Sequence, residues 1–265
     1  AGGISSDSPI YEQQRVAVSP SSFDSARQCI LRWFFASNSG TSMPTQSAAD
    51  GTLIHSLAER FPCGPRSAVM DALEEEIRAM GVDEGQAASK IHMDHLREMA
   101  SALGEYLEQS TQMGSCADPN GNVQVEVPFD VPISSVHIRG RIDRMEVEGQ
   151  GVRIIDFKTG KRGNKTGAKK DPDHPQLALY QLAVEELGYE VLGAELKYLG
   201  YGDVRTIAQD PLDPETRADW INQLDEIGQK MKGPSFIATP SDEACQYCEF
   251  ARSCPAREQG KRSVE

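Results

Sequence analysis

The chain has 265 residues, carries a formal net charge of −13 at pH 7 and is 38% hydrophobic. This length is typical of one large domain or two small ones, and it is enough to bury a core without disulfide bonds. No apolar run approaches the roughly 18 residues that a membrane span needs, and the start of the chain lacks the basic and apolar regions of a secretory signal. The composition therefore excludes a transmembrane protein and predicts a soluble globular one. The chain does not begin with Met, so we expect it to be processed or to be part of a longer polypeptide.

The first half of the chain has the apolar spacing of helices. Residues 1–17 are expected to form a linker or tail, and residues 18–265 a folded domain. Ser19 is a typical N-cap, and the helix after it has an apolar stripe. The residues of this stripe are Phe23, Ala26, Ile30 and Phe34. A loop is expected over residues 36–49, and further helices are predicted over residues 50–61, 65–80 and 85–112.

From residue 123 onward the apolar period changes from about 3.6 to about 2, which is the spacing of strands. Three strands are predicted over residues 123–129, 136–143 and 152–158. A helix, two strands and a second helix are predicted over residues 175–187, 192–201, 204–208 and 213–231. This order of elements predicts an α/β fold.

Two of the predicted strands form a hairpin around Gly149 and Gln150. If these two residues are the turn, Asp143 lies opposite Asp156, with Cβ atoms about 4.5–5.5 Å apart on one face of the sheet. Lys158 lies two residues beyond Asp156 and points to the same face. Carboxylates this close repel each other unless a cation lies between them, and oxygen ligands favour Mg²⁺ or Mn²⁺. The pattern therefore predicts metal-assisted hydrolysis of a phosphodiester.

The spacing leaves an alternative open for this hairpin. Asp143, Arg141 and Lys158 are also compatible with an ion-pair ladder on a solvated sheet surface. Glu126, on the preceding strand, could reach the same face as the two aspartates. Spacing alone does not decide between a metal site and a surface ladder.

The sequence contains six cysteines, of which the last three form a C-x2-C-x5-C run. The members of this run are Cys245, Cys248 and Cys254. In a chain without a secretory signal, such spacing favours a metal or an iron–sulfur cluster over disulfides. Cys29, in an aromatic helical segment, is the best candidate for a fourth ligand, whereas Cys63 and Cys116 are expected to be free thiols. Spacing does not separate zinc from a [4Fe–4S] cluster, and three unligated buried thiols remain a further alternative.

The segment from residue 158 to residue 170 contains six basic residues and no acidic one, although the chain as a whole is acidic. These residues are Lys158, Lys161, Arg162, Lys165, Lys169 and Lys170. Such a segment is either a local site for anions such as DNA phosphates or a solvated loop. An acidic body disfavours a general polyanion-binding surface.

Two further polar patterns lie on predicted helices. Gln176 and Tyr180 are four residues apart, so they share one helix face. His55 lies one turn after Gly51. Taken alone, the first pair is compatible with the polar edge of an amphipathic helix, and a single helical histidine is usually packed or solvated.

Taken together, these segments resemble the PD-(D/E)XK nucleases of the RecB/AddB type. This group includes the nuclease modules of bacterial helicase–nucleases, among them the AdnA/AdnB kind, and CRISPR adaptation nucleases. The resemblance covers residues 18–255, and its motifs occur in the order that the family has. They are Ser19-Pro-Ser-Ser-Phe with Cys29, Gly51-Thr-Leu-Ile-His55 for G-x3-H, Gly140-Arg-Ile-Asp143-Arg144 for G-x-x-D-R, Ile155-Asp156-Phe157-Lys158-Thr-Gly160 for D-Y-K-T-G, Gln176-Leu-Ala-Leu-Tyr180 for Q-x3-Y, and the three C-terminal cysteines.

The resemblance implies a role for each matching residue. His55, Asp143 and Asp156 would bind the catalytic Mg²⁺ or Mn²⁺, with the Phe157 carbonyl as an additional ligand, and Lys158 would be the catalytic lysine. The residues implied to contact DNA or to support the site are Gln176, Tyr180, Lys161, Arg162, Lys165, Lys169 and Lys170. The residues implied to hold a [4Fe–4S] cluster are Cys29, Cys245, Cys248 and Cys254.

The implied fold is a restriction-endonuclease-like α/β domain, with a mixed sheet flanked by helices and with N- and C-terminal segments joined by the four-cysteine cluster. Two departures from the family pattern occur, because Ile30 replaces a proline after Cys29 and Phe157 replaces a tyrosine. Glu126 matches an acidic position of the family only loosely.

The implied activity is metal-dependent hydrolysis of DNA at ends or single strands, as an exonuclease. The implied setting is a cytoplasmic, nucleoid-associated helicase–nuclease of double-strand break repair, with a helicase motor in cis or in trans and no membrane. The alternatives are a catalytically silent DNA-binding or scaffold module of such a complex, a CRISPR-adaptation-type nuclease, and a zinc-stapled protein in which the D-x-K motif is incidental.

Overall fold

The computed structural model describes residues 2–5, 8–9, 16–38, 45–112, 123–160, 169–200, 204–246 and 248–261. Within these residues, helices α1 to α9 span Pro20–Gln28, Ile30–Asn38, Gln46–Arg60, Arg66–Met80, Ala87–Gln112, Pro175–Glu186, Pro214–Lys232, Asp242–Gln246 and Glu258–Lys261. Strands β1 to β9 span Gly3–Ser5, Val16–Val18, Val123–Ile133, Val136–Glu148, Gly151–Lys158, Lys169–Lys170, Glu190–Tyr198, Arg205–Gln209 and Ser235–Ile237. Among the helices in this part of the chain, none combines the length and apolar content that crossing a bilayer requires.

Seven of the strands form one mixed sheet in the order β2-β4-β5-β7-β8-β6, and β3 pairs with β4. Strand β4 is antiparallel to β3 and to β5 but parallel to β2. Strand β5 is parallel to β7, which is antiparallel to β8. The predicted α/β class, a mixed sheet flanked by helices, is therefore confirmed.

The sheet buries apolar side chains on both of its faces. On one face, Val152 and Ile154 of β5 belong to a core with residues of α1, α2, α6 and α7. On the other face, Ile155 and Phe157 belong to a second core with residues of α3, α4 and α5. Because side chains alternate between the faces of a strand, Asp156 points to the face that α6 covers.

Helix α6 crosses the centre of the first core. Its residues 177–184 are all buried, so the helix is surrounded by apolar contacts rather than presenting a single apolar stripe. A helix held in this way has a fixed rotation about its axis. This rotation decides where the polar residues near its N-terminus point.

The helix predicted to begin after Ser19 is divided into α1 and α2. Ser19 caps α1 as expected, because its side chain accepts a hydrogen bond from the Ser22 N–H at 3.1 Å. The division falls at Cys29, whose backbone is extended. The Cys29 carbonyl accepts a hydrogen bond from the Trp33 N–H at 3.1 Å, so the second helix begins at once. The apolar stripe passes over this break, which explains why apolar spacing does not reveal it.

Two other predictions placed the ends of helices or strands too early or too late, so that these elements are longer than expected. Instead of a loop over the whole of 36–49, α2 continues to Asn38 and Thr45 caps α3. Strand β3 continues to Ile133 and includes Pro132. Because β3 pairs with β4 alone in the described sheet, a proline there removes no hydrogen bond that a second neighbour needs.

The predicted register of the β4–β5 hairpin is confirmed. Glu148 pairs with Gly151 and Arg144 pairs with Ile155, so residues 149 and 150 form the turn. Gly149 has a φ of +66°, which two-residue hairpin turns require and glycine adopts without strain. The paired ladder runs from Glu148 to Arg144, so Asp143, the next residue toward the start of β4, lies just outside it.

Residues 1–17, the segment expected to be a linker or tail, contain one short strand and the start of a second. Val16–Val18 runs parallel to the first residues of β4, and Val16 and Val18 are buried. Gly3–Ser5 pairs with β9 near the other end of the chain. Strands of three residues are too short for the alternation of apolar and polar residues that identifies a strand in a sequence.

Candidate active site

The carboxylate of Asp156 is buried at the end of β5, where Asp156 is 3% exposed. Its Oδ1 accepts hydrogen bonds from Gln176 Nε2 at 2.8 Å and from the Tyr180 hydroxyl at 2.9 Å. Its Oδ2 lies 2.6 Å from Lys158 Nζ. Gln176 and Tyr180 belong to α6, where their spacing of four residues places both on the same face, as predicted.

Asp143 lies on the neighbouring strand, just beyond the paired part of the hairpin. Its Oδ2 accepts a hydrogen bond from the Phe157 N–H at 2.7 Å and lies 3.4 Å from His55 Nδ1. Asp143, Asp156 and Lys158 are thus brought together at one end of the hairpin. The ion-pair ladder of Asp143, Arg141 and Lys158 that was the alternative does not form, because Lys158 pairs with Asp156 and Arg141 pairs with Glu126.

His55 reaches Asp143 because α3 packs closely against the end of β5. A Cβ atom at Gly51 would lie 3.3 Å from Thr159 Oγ1, so a larger residue at position 51 would press against this segment. Gly51 and His55 are four residues apart on α3 and share a face. The glycine of the G-x3-H motif therefore allows α3 to approach this segment closely, and this approach brings His55 within reach of Asp143.

Glu126 completes a group of three potential ligands. One ligand atom from each of His55, Glu126 and Asp143 lies within 4.8 Å of the other two. Two carboxylates and an imidazole suit a hard divalent cation such as Mg²⁺ or Mn²⁺. Glu126 therefore reaches the face of the aspartates, and its carboxylate also pairs with Arg141 Nη1 at 3.2 Å. This ion pair was not predictable from the sequence, because the two residues are 15 positions apart on different strands.

The electrostatics of this group favour a positive charge. Burial raises the pKa of the Asp156 carboxyl above its ordinary value, and the nearby charge of Asp143 raises it further, although Lys158 acts in the opposite direction. Burial by itself would lower the pKa of His55, but the carboxylates of Asp143, Asp156 and Glu126 raise it above its ordinary value. A cation among these groups would offset the repulsion between the carboxylates.

Of the basic residues predicted to contact DNA, two lie in the part of the chain that the structure describes. Lys161, Arg162 and Lys165 lie outside the described residues, and Lys169 is described only as part of β6. Lys170 is exposed and its Nζ lies 2.6 Å from Asp210 Oδ2. Their role in DNA binding stays a prediction.

The four cysteines predicted to act together line one small pocket between the α1–α2 junction and the segment after β9. They are Cys29, Cys245, Cys248 and Cys254, and all four are free thiols. In the part of the chain that the structure describes, they are not drawn into a tight cluster. Cys63 is disulfide-bonded, so the expectation of a free thiol is wrong for this residue, because spacing in the sequence does not reveal which thiols meet in space. Cys116 lies outside the described residues.

The fold and this arrangement of side chains define a class of protein. The family described as the PD-(D/E)XK nuclease superfamily matches residues 17–255 of this chain. The chain therefore belongs to the PD-(D/E)XK nuclease superfamily, and its sheet flanked by helices is consistent with a restriction-endonuclease-like fold.

Individual relatives are more distant. The "Gene 69 protein" of Mycobacterium phage L5 is 26% identical over 152 residues, which cover 56% of this chain and 49% of the phage protein. The "CRISPR-associated exonuclease Cas4/endonuclease Cas1 fusion" of Geobacter sulfurreducens is 26% identical over 118 residues, which cover 44% of this chain and 21% of that protein. The crystal structure of a "Putative exonuclease" from Eubacterium rectale has a TM-score of 0.51 and 11% identity, and the match covers 91% of this chain and 90% of that one. The chain thus spans about half or less of the length of the curated relatives it matches, and the likeness to the solved structure concerns the fold alone.

Proposed function

We propose that the chain is a metal-dependent deoxyribonuclease that hydrolyses DNA phosphodiester bonds at ends or single strands, as a Mg²⁺- or Mn²⁺-dependent exonuclease. The observation that carries this proposal is the buried Asp156 carboxylate, fixed by Lys158 on one side and by Gln176 and Tyr180 on the other. A carboxylate and a lysine kept in contact in a largely dry site, beside a set of cation ligands, are what metal-assisted phosphodiester hydrolysis requires.

In this proposal His55, Asp143 and Asp156 hold the catalytic ion, which would supply Lewis-acid polarisation of the phosphodiester. The fit is supported by the oxygen-rich donor set and by the mutual proximity of His55, Glu126 and Asp143. The Phe157 N–H fixes one oxygen of Asp143, and so limits the rotation of this carboxylate. Gln176 and Tyr180 do the same for Asp156, and preorganised ligands do not have to be reoriented during the reaction.

Lys158 is proposed as the catalytic lysine. The Lys158 side chain is about one-third exposed, whereas that of Asp156, which it contacts, is almost fully buried. The lysine therefore stands between the buried carboxylate and the solvent side from which DNA would approach. There it can orient the attacking water and offset negative charge that develops on the phosphate.

We also propose that Cys29, Cys245, Cys248 and Cys254 hold a [4Fe–4S] cluster. The proposal is supported by the resemblance in sequence and by the shared pocket, which brings together residues more than 200 positions apart. In such a cluster each cysteine binds its own iron atom, so the sulfur atoms surround the cluster and need not contact one another. A zinc ion is the alternative, and metal analysis with a visible absorption spectrum of anaerobically prepared protein distinguishes the two.

The wider setting is proposed from the sequence resemblance alone. It is a cytoplasmic, nucleoid-associated helicase–nuclease that acts in double-strand break repair, with a helicase motor in cis or in trans. The basic segment around Lys161, Arg162, Lys165, Lys169 and Lys170 would bind the DNA backbone without sequence preference. A CRISPR-adaptation-type nuclease is the second candidate, since one relative is named as a Cas4/Cas1 fusion.

The test is degradation of labelled linear and circular single-stranded DNA, and of linear duplex DNA, with Mg²⁺, with Mn²⁺ and with a chelator. We expect metal-dependent release of short products from linear but not from circular DNA. Asp156→Asn should abolish cleavage, because the loss of a metal ligand removes several kcal/mol of transition-state stabilisation. The fold should stay intact, because asparagine has nearly the same shape as aspartate.

Asp130→Asn is the matched control, because Asp130 is an exposed aspartate of β3 whose carboxylate pairs with His137. It should cleave like the wild type. Absence of metal-dependent cleavage on every substrate would favour a catalytically silent DNA-binding module. Cleavage of circular DNA would show that the activity is that of an endonuclease rather than an exonuclease.

A further inference from the structure

Glu126 and Arg141 form an ion pair at the open side of the candidate metal site. Arg141 Nη1 lies 3.2 Å from Glu126 Oε2. The Arg141 side chain is 61% exposed, whereas that of Glu126 is 19% exposed. The carboxylate thus belongs to the wall of the site, and the guanidinium reaches it from the solvent side.

The backbone directs Glu126 toward the site. The register of β3 and β4 pairs Val125 with Arg144 and Val127 with Ile142, which places Glu126 opposite Asp143. The ladder is interrupted at this position, where Glu126 has a φ of +52°. A left-handed backbone costs a residue with a side chain about 1 kcal/mol or more, so it persists only where its surroundings hold it.

The distances suit a shared cation. Octahedral coordination of Mg²⁺, with bonds of about 2.1 Å, separates opposite ligands by about 4.2 Å and adjacent ligands by about 3.0 Å. The ligand atoms of His55, Glu126 and Asp143 lie within 4.8 Å of one another. Only one pair among three such ligands can be opposite, so side-chain movements of up to about 1 Å would bring all three to bonding distance.

Glu126 cannot serve Arg141 and a cation equally well. A guanidinium beside the carboxylate repels a divalent ion, and both compete for the same oxygen atoms. Arg141 is mobile enough to leave, because most of its side chain is in solvent and exposed ion pairs contribute little free energy. A guanidinium released in this way is well suited to bind the oxygens of a phosphate in a bidentate manner.

Arg141 is also close enough to the reaction site to do so. The Tyr180 hydroxyl, which donates to Asp156, lies 3.4 Å from the carbonyl oxygen of Arg141. The main chain of Arg141 therefore lies beside the buried carboxylate, and its side chain extends toward solvent from there.

We propose that Glu126 is a further ligand of the catalytic ion, and that Arg141 is the counter-ion that Glu126 exchanges for this ion and that then binds a backbone phosphate of the DNA. The proposal rests on the proposed metal-dependent nuclease function. It goes beyond it by assigning two residues that exchange partners when the site is loaded.

The test measures Mn²⁺ binding by electron paramagnetic resonance in the absence of DNA, and then the affinity for labelled single-stranded DNA with and without Mn²⁺. Glu126→Gln should weaken Mn²⁺ binding at least about tenfold, since even residues that only support metal ligands change affinity by roughly 10- to 100-fold. Arg141→Ala should instead strengthen Mn²⁺ binding by about two- to fivefold, the size expected for the loss of an exposed ion pair. The same Arg141→Ala protein should bind DNA more weakly than the wild type when Mn²⁺ is present.

Arg139→Ala is the matched control, because Arg139 is an exposed arginine two residues earlier on β4 and its removal changes the net charge equally. It should leave Mn²⁺ affinity unchanged within about twofold. Opposite changes in Mn²⁺ and DNA affinity for Arg141→Ala, without the same pattern in Arg139→Ala, support the proposal. Equal effects of the two arginine substitutions would overturn it, as would wild-type Mn²⁺ affinity in a folded Glu126→Gln protein.

Failure of the proposed function gives a different result. If the wild-type protein does not bind Mn²⁺, or if Asp143→Asn binds it as well as the wild type, there is no catalytic ion at this site and both proposals fall. If Asp143→Asn abolishes binding and Glu126→Gln does not change it, only the exchange between Glu126 and Arg141 is wrong. Should Glu126→Gln not fold, the pair of arginine variants decides the question alone.

Discussion

At the scale of single residues, the candidate site contains a buried carboxylate whose ionisation is opposed by burial and favoured by a neighbouring lysine. Burial favours the neutral form of Asp156, whereas Lys158 favours the ionised form. The hydrogen bonds from Gln176 and Tyr180 also go to the carboxylate and satisfy one of its oxygens. A divalent ion beside Asp156 would act in the same direction as Lys158.

Lys158→Ala tests the role of this lysine. We expect the turnover of bound DNA to fall by about 10²- to 10³-fold, the usual cost of removing one preorganised charge from a transition state. DNA affinity should fall by less than about threefold, because several basic residues of the same segment share the contact with the backbone. Single-turnover cleavage and equilibrium binding on the same labelled DNA measure the two quantities separately.

Lys230→Ala is the control for this substitution, since Lys230 lies on α7 and its Nζ pairs with Glu226 at 2.7 Å on the protein surface. It should change neither turnover nor affinity. If Lys158→Ala lost binding while bound DNA was still cleaved at the wild-type rate, Lys158 would be a DNA-binding residue rather than a catalytic one.

At the scale of elements, a buried polar network joins the helical layer to β4. Arg144 and Glu146 are almost fully buried and form an ion pair at 2.6 Å. Ser110 and Tyr106 of α5 donate hydrogen bonds to the same Glu146 oxygen at 2.7 Å and 2.9 Å. Since Arg144 directly follows Asp143, this network fixes α5 against the strand that carries a proposed metal ligand.

Glu146→Gln should destabilise the protein by about 2–4 kcal/mol at neutral pH, because it removes the negative charge with which the buried guanidinium of Arg144 forms its ion pair. Glu148→Gln is the control, because Glu148 lies on the same strand and forms a partly exposed pair with Arg153. It should cost less than about 1 kcal/mol. Chemical denaturation of both variants measures the difference, and equal effects would show that the network does not stabilise the fold.

The same pair predicts a dependence on pH. Burial raises the pKa of Glu146, but the charge of Arg144 and the hydrogen bonds from Arg144, Ser110 and Tyr106 outweigh it and lower the pKa below its ordinary value of 4.5. A lowered folded-state pKa contributes stability that is fully present above the unfolded pKa and is lost as the pH falls through the folded one. The stability difference between wild type and Glu146→Gln should therefore shrink below about pH 4.5. A difference that stayed constant from pH 7 to pH 3 would contradict this.

At the scale of the whole molecule, the two ends of the chain meet beside the first core. Strand β1 pairs with β9, and Cys29 Sγ accepts a hydrogen bond from the Thr239 N–H at 3.5 Å. The rings of Phe35 and Phe250 lie 5.5 Å apart across the same contact. A cluster bound by the four cysteines would close this contact covalently.

Each of the substitutions Cys29→Ala, Cys245→Ala, Cys248→Ala and Cys254→Ala should lower the melting temperature and remove the visible absorbance of the anaerobically prepared protein. Binding of a structural metal centre is coupled to folding, so losing one ligand costs stability rather than chemistry. Cys63→Ala is the control for the absorbance, which it should retain whatever its effect on melting, since Cys63 is disulfide-bonded. Wild-type absorbance and melting in the four variants would mean that these cysteines hold no centre that the fold needs.

Local signals in the sequence were enough for much of the architecture. Apolar periods give α4, α5, α6 and α7 to within a few residues, because each helix buries a face or its whole surface. Gly149 and Gln150 give the hairpin turn, and the turn fixes the register that brings Asp143 toward Asp156. The short strands β1, β2 and β9 were not predictable, because their pairing partners are distant in the sequence and three residues carry no period.

The sequence by itself determined the α/β class, the superfamily and the residue types of the site, because motifs and turns are encoded in short segments. Only the tertiary structure decided which of these residues meet. The packing of α3 against the end of β5 brings His55 to Asp143, and the interrupted pairing of β3 and β4 brings Glu126 to the same group. The ion pair of Glu126 with Arg141 likewise depends on the register of two strands. Contacts between side chains far apart in the chain depend on distances and angles between packed elements, and no spacing along one segment contains that information.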